Sequence, residues 1–166
     1  MARKVNYTLT EPESAVLMGA TKDALTAAGA VGGWLGDAST GSTGAAGAAG
    51  GAMGGRFGAR FTKPVTAELT LEVRRAPAAT WELVRATIAA AGTRIEDPNR
   101  LRDGSVWGIV QSGALAMMPA LVRVQVAPSG SAGSHVHLRA TGREGLIKQG
   151  IGAKAVQRIA DRLLAG

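Results

Sequence analysis

The sequence predicts an α+β protein: an antiparallel sheet packed on a long C-terminal helix, preceded by a Gly/Ala-rich helical hairpin arm. Three observations carry this. Val65, Ala67, Leu69, Leu71 and Val73 alternate with Thr66, Glu68, Thr70, Glu72 and Arg74, the period of a half-buried strand. Beyond it the signals run helix, four strands, helix, an order that suits an antiparallel sheet with helices on it. Twelve of the 24 glycines lie between Gly29 and Gly58. The chain accordingly divides into an arm, residues 1–62, and an α+β domain, residues 63–166.

In the arm, Thr10-Glu11-Pro12-Glu13 has the pattern of a capping box, with proline in the first turn where its missing N–H costs nothing. A helix is expected from there to about Leu35. Asp37 to Thr43 reads as a turn. A second helical segment, Gly44 to Phe61, carries two interleaved four-residue series, Gly47-Gly51-Gly55 and Gly50-Gly54-Gly58. Each series shares one helix face, and a face without side chains admits another backbone closely. Each interior glycine costs about 0.8–1.0 kcal/mol relative to alanine. The segment is therefore a packed helix if something covers it, and irregular if nothing does.

In the domain, Ala76-Pro77 opens a helix whose buried stripe is Trp81, Val84, Ile88 and Ala91, with Gly92 ending it. A short strand is expected over Thr93–Asp97, then a turn at Asp103-Gly104 and strands over Ser105–Ser112, Ala120–Val126 and Ser134–Thr141. Pro128 to Gly133 reads as a loop. The last helix is expected from about Leu146 to Leu164, with Ile151, Ala155, Ile159 and Leu163 on one face beside Val156.

Composition narrows function. No cysteine is present, which excludes disulfides, thiolate metal sites and a cysteine nucleophile. The net charge is +7, which favours anionic partners. Residues 38 to 63 hold Arg56, Arg60 and Lys63 with no acid. No uncharged apolar run approaches the roughly 20 residues of a membrane-spanning helix, and the N-terminus lacks a signal-peptide pattern. The expected setting is cytoplasmic, peripheral at the membrane where the arm meets lipid.

The strand–helix–four-strand–helix order, with Arg75-Ala76-Pro77-Ala78-Ala79-Thr80-Trp81-Glu82-Leu83-Val84 after the first strand, resembles the helix-grip superfamily of START and Bet v 1-like, or polyketide cyclase-like, proteins. The resemblance covers about residues 64 to 166. It implies a sheet gripping the terminal helix and a domain that binds apolar ligands or lipids, with only some members enzymes. The chain is shorter than the full family form, which bears against a large internal cavity. Residues 29 to 58 resemble the glycine-zipper hairpins of bacterial envelope proteins.

Candidate sites follow. Trp81, Trp107, Met117 and Met118 are large apolar groups available either to the core or to a ligand pocket between sheet and terminal helix. Gly47, Gly50, Gly51, Gly54, Gly55 and Gly58 are the helix-packing seam. Arg143 and Lys148, near the start of the last helix, are candidate anion contacts. His135 and His137 share a strand face and could begin a metal site if the fold brings Glu96, Asp97 or Asp103 close, but Arg139 continues that face and opposes metal binding, so no metal is expected. No nucleotide-binding or nucleophile-elbow motif occurs, so no catalytic residue and no cofactor are expected.

The expected function is a non-enzymatic binding or scaffold protein. The arm serves oligomerisation, assembly into a larger complex or peripheral membrane association. The domain holds an apolar small molecule, an anionic lipid or a protein partner. The alternatives are nucleic-acid binding through a basic surface, since the element order also resembles half of the TATA-binding protein, and a cyclase-like enzyme. Few aromatics are present to stack bases, and the inward strand positions are nearly all aliphatic rather than ionisable.

Overall fold

A computed structural model describes residues 2–39, 45–95, 104–112, 118–130, 132–145 and 148–166. Its elements are β1 (Arg3–Val5), α1 (Glu11–Ser39), α2 (Ala45–Gly58), a 3-10 turn (Ala59–Phe61), β2 (Lys63–Val73), α3 (Pro77–Ala91), β3 (Gly92–Ile95), β4 (Val106–Ser112), β5 (Met118–Ser129), β6 (Gly133–Glu144) and α4 (Ile151–Ala165). The architecture is α+β: one open antiparallel sheet in the order β1-β2-β6-β5-β4-β3, with four helices, the last of them C-terminal.

Strand alternation decides what each face of the sheet buries. On the inner face Ala67, Leu69 and Leu71 stand opposite Ala140, Leu138 and Val136 in the β2–β6 register. Val122 and Val124 continue the layer on β5, and Val106 and Val110 on β4. Against it pack Val84 and Ile88 of α3 and Ala155, Val156, Ile159 and Leu163 of α4. Each valine, leucine or isoleucine among them contributes about 1.5–3 kcal/mol when removed from water.

Glycines set how closely α4 approaches. A Cβ on Gly152 would lie 2.7 Å from the Ala140 carbonyl oxygen and 3.0 Å from that of Val65. A Cβ on Gly142 would overlap the Ile151 side chain. The first turn of α4 therefore rests on sheet backbone. The helix starts at Ile151, five residues after the expected Leu146, because Gly150 takes a left-handed conformation (φ +65°) and Glu144 Oε1 accepts the Ile151 N–H at 2.7 Å. Leu146 and Ile147 lie outside the described residues.

The outer face carries a second, smaller core. Leu17 of α1, Trp107 of β4 and Leu121 of β5 are buried together, with Leu9, Val16, Ile95 and Ile109 against them. The start of α1 thus covers the sheet face opposite α3 and α4. It is fastened by Glu13, 2% exposed, which accepts hydrogen bonds from the Tyr7 hydroxyl (2.7 Å), the Thr10 N–H (2.8 Å) and the Thr10 hydroxyl (3.0 Å). Only half of the expected capping box forms, since the Thr10 hydroxyl donates to Glu13. Arg139 lies 3.4 Å from Glu13 Oε1, and its guanidinium sits 3.7 Å from the centre of the Tyr7 ring.

Other expectations shift. Asp37 to Ser39 belong to α1 rather than to a turn. Residues 40–44 lie outside the described residues, as do Glu96, Asp97 and Asp103. Pro128 and Ser129 extend β5 and Gly133 begins β6, because Ser129 pairs with Gly133 across a shorter turn in which Gly130 has φ +66°. Gly92 ends α3 in an extended conformation, so helix termination is not what demands glycine there. A Cβ at that position would run into the Ile109 carbonyl of the adjacent strand. β1 adds an edge strand that the alternation pattern does not reveal in three residues.

α1 and α2 pack together more extensively than any other pair of elements. The seam is specific: a Cβ on Gly29 would collide with the Gly51 carbonyl. A Cβ on Gly50, Gly54 or Gly58 would meet nothing within 4 Å. Of the two glycine series, Gly51 faces the partner helix, while the Gly50-Gly54-Gly58 series faces outward. Gly47 and Gly55 are helical.

Candidate functional site

The sheet-to-α4 interface is an apolar core: Val122, Val124, Leu138, Val156 and Ile159 are all fully buried in one cluster. Trp81 packs half-buried on this inner core, whereas Trp107 belongs to the outer one. The two tryptophans therefore pack on opposite sides of the sheet. Two successive strand residues point to opposite faces, and Trp107 alternates with Val106, which takes the inner side. Met118 lies at the inner core and Met117 lies outside the described residues.

A cavity of about 1210 Å³ opens elsewhere, at the edge of the sheet where β1 stops short of the start of β2. β1 pairs only with Thr66 to Glu68, so Lys63 to Val65 have no neighbour from β1. The chain leaves β1 through Asn6, Tyr7 and Thr8 and crosses to α1, forming one wall. Leu25 of α1 with Gly58, Phe61 and Thr62 forms a second. Met118, Glu144, Gly145, Lys148 and Gln149 close the third. Val5, Leu25, Phe61, Pro64, Val65 and Met118 make much of the lining apolar.

Its charge is one-sided. Lys4, Lys63 and Lys148 line it, all exposed, and none forms an ion pair among the described residues. The lone lining carboxylate among them, Glu144, is 7% exposed and is used by the Ile151 N–H at the positive end of α4. Tyr7 also lines the cavity, with its hydroxyl held by Glu13. Burial and that hydrogen bond raise the Tyr7 pKa above its ordinary value, partly opposed by Arg139.

The two expected anion contacts separate. Lys148 lines the cavity. Arg143 lies on the outer face of β6, 8% exposed, and donates from Nε to the Thr62 hydroxyl (2.9 Å) and from Nη2 to the Thr62 carbonyl (2.5 Å). Its role is to hold the junction between the 3-10 turn and β2, which is a cavity wall. Burial lowers its pKa from the ordinary arginine value.

Sequence reasoning missed Lys4, Tyr7, Leu25, Phe61 and Lys63 as neighbours. Lys63-Pro64 offered one signal, since proline at a strand start marks an unpaired edge. Convergence of the N-terminus, the end of α2 and Glu144, Gly145, Lys148 and Gln149 is set by packing alone. Elsewhere, His137 Nε2 is 3.7 Å from Glu68 Oε2 on the outer face. No group of three metal-ligating side chains occurs among the described residues. No family model matches the chain, and the searches of curated proteins and of solved structures return no match.

Proposed function

We propose that the protein is a non-enzymatic binding protein that holds one amphipathic molecule with an anionic head in the cavity beside β2. The observation that carries this is the combination of apolar walls with three lysines, Lys4, Lys63 and Lys148, against one carboxylate, Glu144, which accepts the Ile151 N–H. Small-ligand sites commonly occupy about 300–1,000 Å³, so 1210 Å³ has room for an acyl chain and its head group. An aliphatic tail gains by leaving water, while the lysines attract a carboxylate or phosphate. The resemblance of residues 64 to 166 to helix-grip proteins supports a ligand-binding role; the site itself lies at the sheet edge instead of beneath the terminal helix.

Native mass spectrometry of the purified chain, followed by titration with a fluorescent long-chain fatty acid, tests the reading. One bound amphiphile per chain is expected. Val65→Trp should fill the cavity and reduce affinity, and Lys63→Glu with Lys148→Glu should weaken the acid but not an alcohol of equal chain length. Equal affinity of wild type and V65W would refute the site.

A further inference from the structure

We propose that the outward face of α2 and the following 3-10 turn docks on an anionic membrane surface. Met53, Phe57 and Phe61 are 72%, 59% and 68% exposed, among the few large hydrophobic side chains so open to water. They recur at four-residue steps, so the face is continuous from the helix into the turn. The rings of Phe57 and Phe61 stand edge to face with centroids 5.3 Å apart. Gly50, Gly54 and Gly58 present no side chain, and a Cβ on any of them would meet nothing within 4 Å, so this side of α2 is open.

Charge selects the occupant. Between Asp37 and Glu68 the chain has no acidic residue, and its charged residues are Arg56, Arg60 and Lys63. Basic residues beside projecting apolar ones are the composition of a segment that lies in the interface of an anionic bilayer. A second copy of the chain would bring cations against cations. The opposite side of α2 is held on α1 at the Gly29–Gly51 contact, so docking requires no unpacking. No helix among the described residues is long and apolar enough to cross a membrane, which leaves shallow docking as the mode.

The surface deepens the reading of the cavity as an amphiphile site and rests on it in one respect: Gly58, Phe61 and Lys63 belong to both. A molecule leaving the outer layer of a membrane beneath Phe61 would enter the cavity without crossing water.

The test uses the full chain with vesicles of phosphatidylcholine, alone or mixed with phosphatidylglycerol, in a sedimentation assay. Binding to the anionic vesicles only, weakened by salt, is expected. Met53→Ser with Phe57→Ser should lower partitioning about tenfold or more. Arg56→Gln and Arg60→Gln should each lower it about fivefold. Neither Met53 nor Phe57 lines the cavity, so M53S/F57S should retain fatty-acid binding and its circular dichroism spectrum. Absence of wild-type binding to anionic vesicles at low salt would overturn the proposal, as would undiminished vesicle binding by M53S/F57S. A wild-type dimer in light scattering that M53S/F57S converts to monomer, with vesicle binding unchanged, would reassign the face to self-association. Vesicle binding without fatty-acid binding would sink the cavity reading and leave the docking surface standing.

Discussion

Gly29→Val is expected to detach α2 from α1. The Cβ alone would overlap the Gly51 carbonyl oxygen, lie 2.7 Å from its carbon and 3.3 Å from the Ala52 nitrogen. All three are backbone atoms of a helix, so no side-chain rotation relieves the contact. Overpacking of this kind costs about 1–3 kcal/mol. α2 has little to set against it: glycines at 47, 50, 51, 54 and 55 lower its helical stability by about 4–5 kcal/mol relative to alanine. A 14-residue helix is marginal in isolation even with better residues. Once separated, α2 should unfold while the sheet core persists, because neither Gly29 nor α2 contributes to the two buried clusters. Circular dichroism should then lose about a fifth of its helical amplitude, for 14 of the 73 α-helical residues among those described. Trypsin should cut faster at Arg56 and Arg60. The companion variant Gly50→Ala/Gly54→Ala should act in the opposite sense, adding about 0.8–1.0 kcal/mol per site to helix stability, since the new methyl groups meet nothing. Unchanged spectra and digestion rates for G29V, or a destabilised G50A/G54A, would refute the one-sided seam.

Three further outcomes are expected. Glu13→Ala leaves Arg139, whose side chain is 14% exposed, without its nearest carboxylate and Tyr7 without its acceptor; a loss of about 3 kcal/mol in urea denaturation should follow. Tyr7 has a folded pKa above its unfolded value of 10.0, so its contribution is complete below pH 10 and declines as pH rises through the folded value. Melting curves should show a fall in stability above pH 10 that is smaller in Tyr7→Phe. Gly152→Val places carbon against the Ala140 and Val65 carbonyls and should lift the first turn of α4, costing about 1–3 kcal/mol in thermal unfolding.

Periodic elements were legible because their signals are local. Alternation from Val65 to Val73 is written in consecutive residues, and it appears as β2 with Ala67, Leu69, Leu71 and Val73 on the core side. The α4 stripe was readable at Ile151, Ala155, Ile159 and Leu163 for the same reason. Boundaries were less so. Ser129 and Gly133 look like loop residues until their pairing across the turn at Gly130 is known. Leu146 suits a helix until Glu144 and Gly150 place the first turn at Ile151. The candidate pocket residues were misgrouped because Trp81 and Trp107 resemble one another in sequence, and only the helix position of one and the strand parity of the other assign them to opposite faces.

By itself the sequence determined that strands and amphipathic helices would form, that the arm carried two glycine faces and that the molecule would be basic. These are properties of spacing and composition, which no distant contact alters. Tertiary structure alone decided which glycine face was used. Gly51 and Gly50 are chemically identical and adjacent, yet one meets Gly29 and the other meets nothing, because α1 can lie on only one side of α2. The same packing brings Lys4, Lys63 and Lys148, separated by most of the chain, around one cavity. Nothing local to those lysines could have announced it, since their proximity is produced by the sheet edge and the packing of α1 on α2 together.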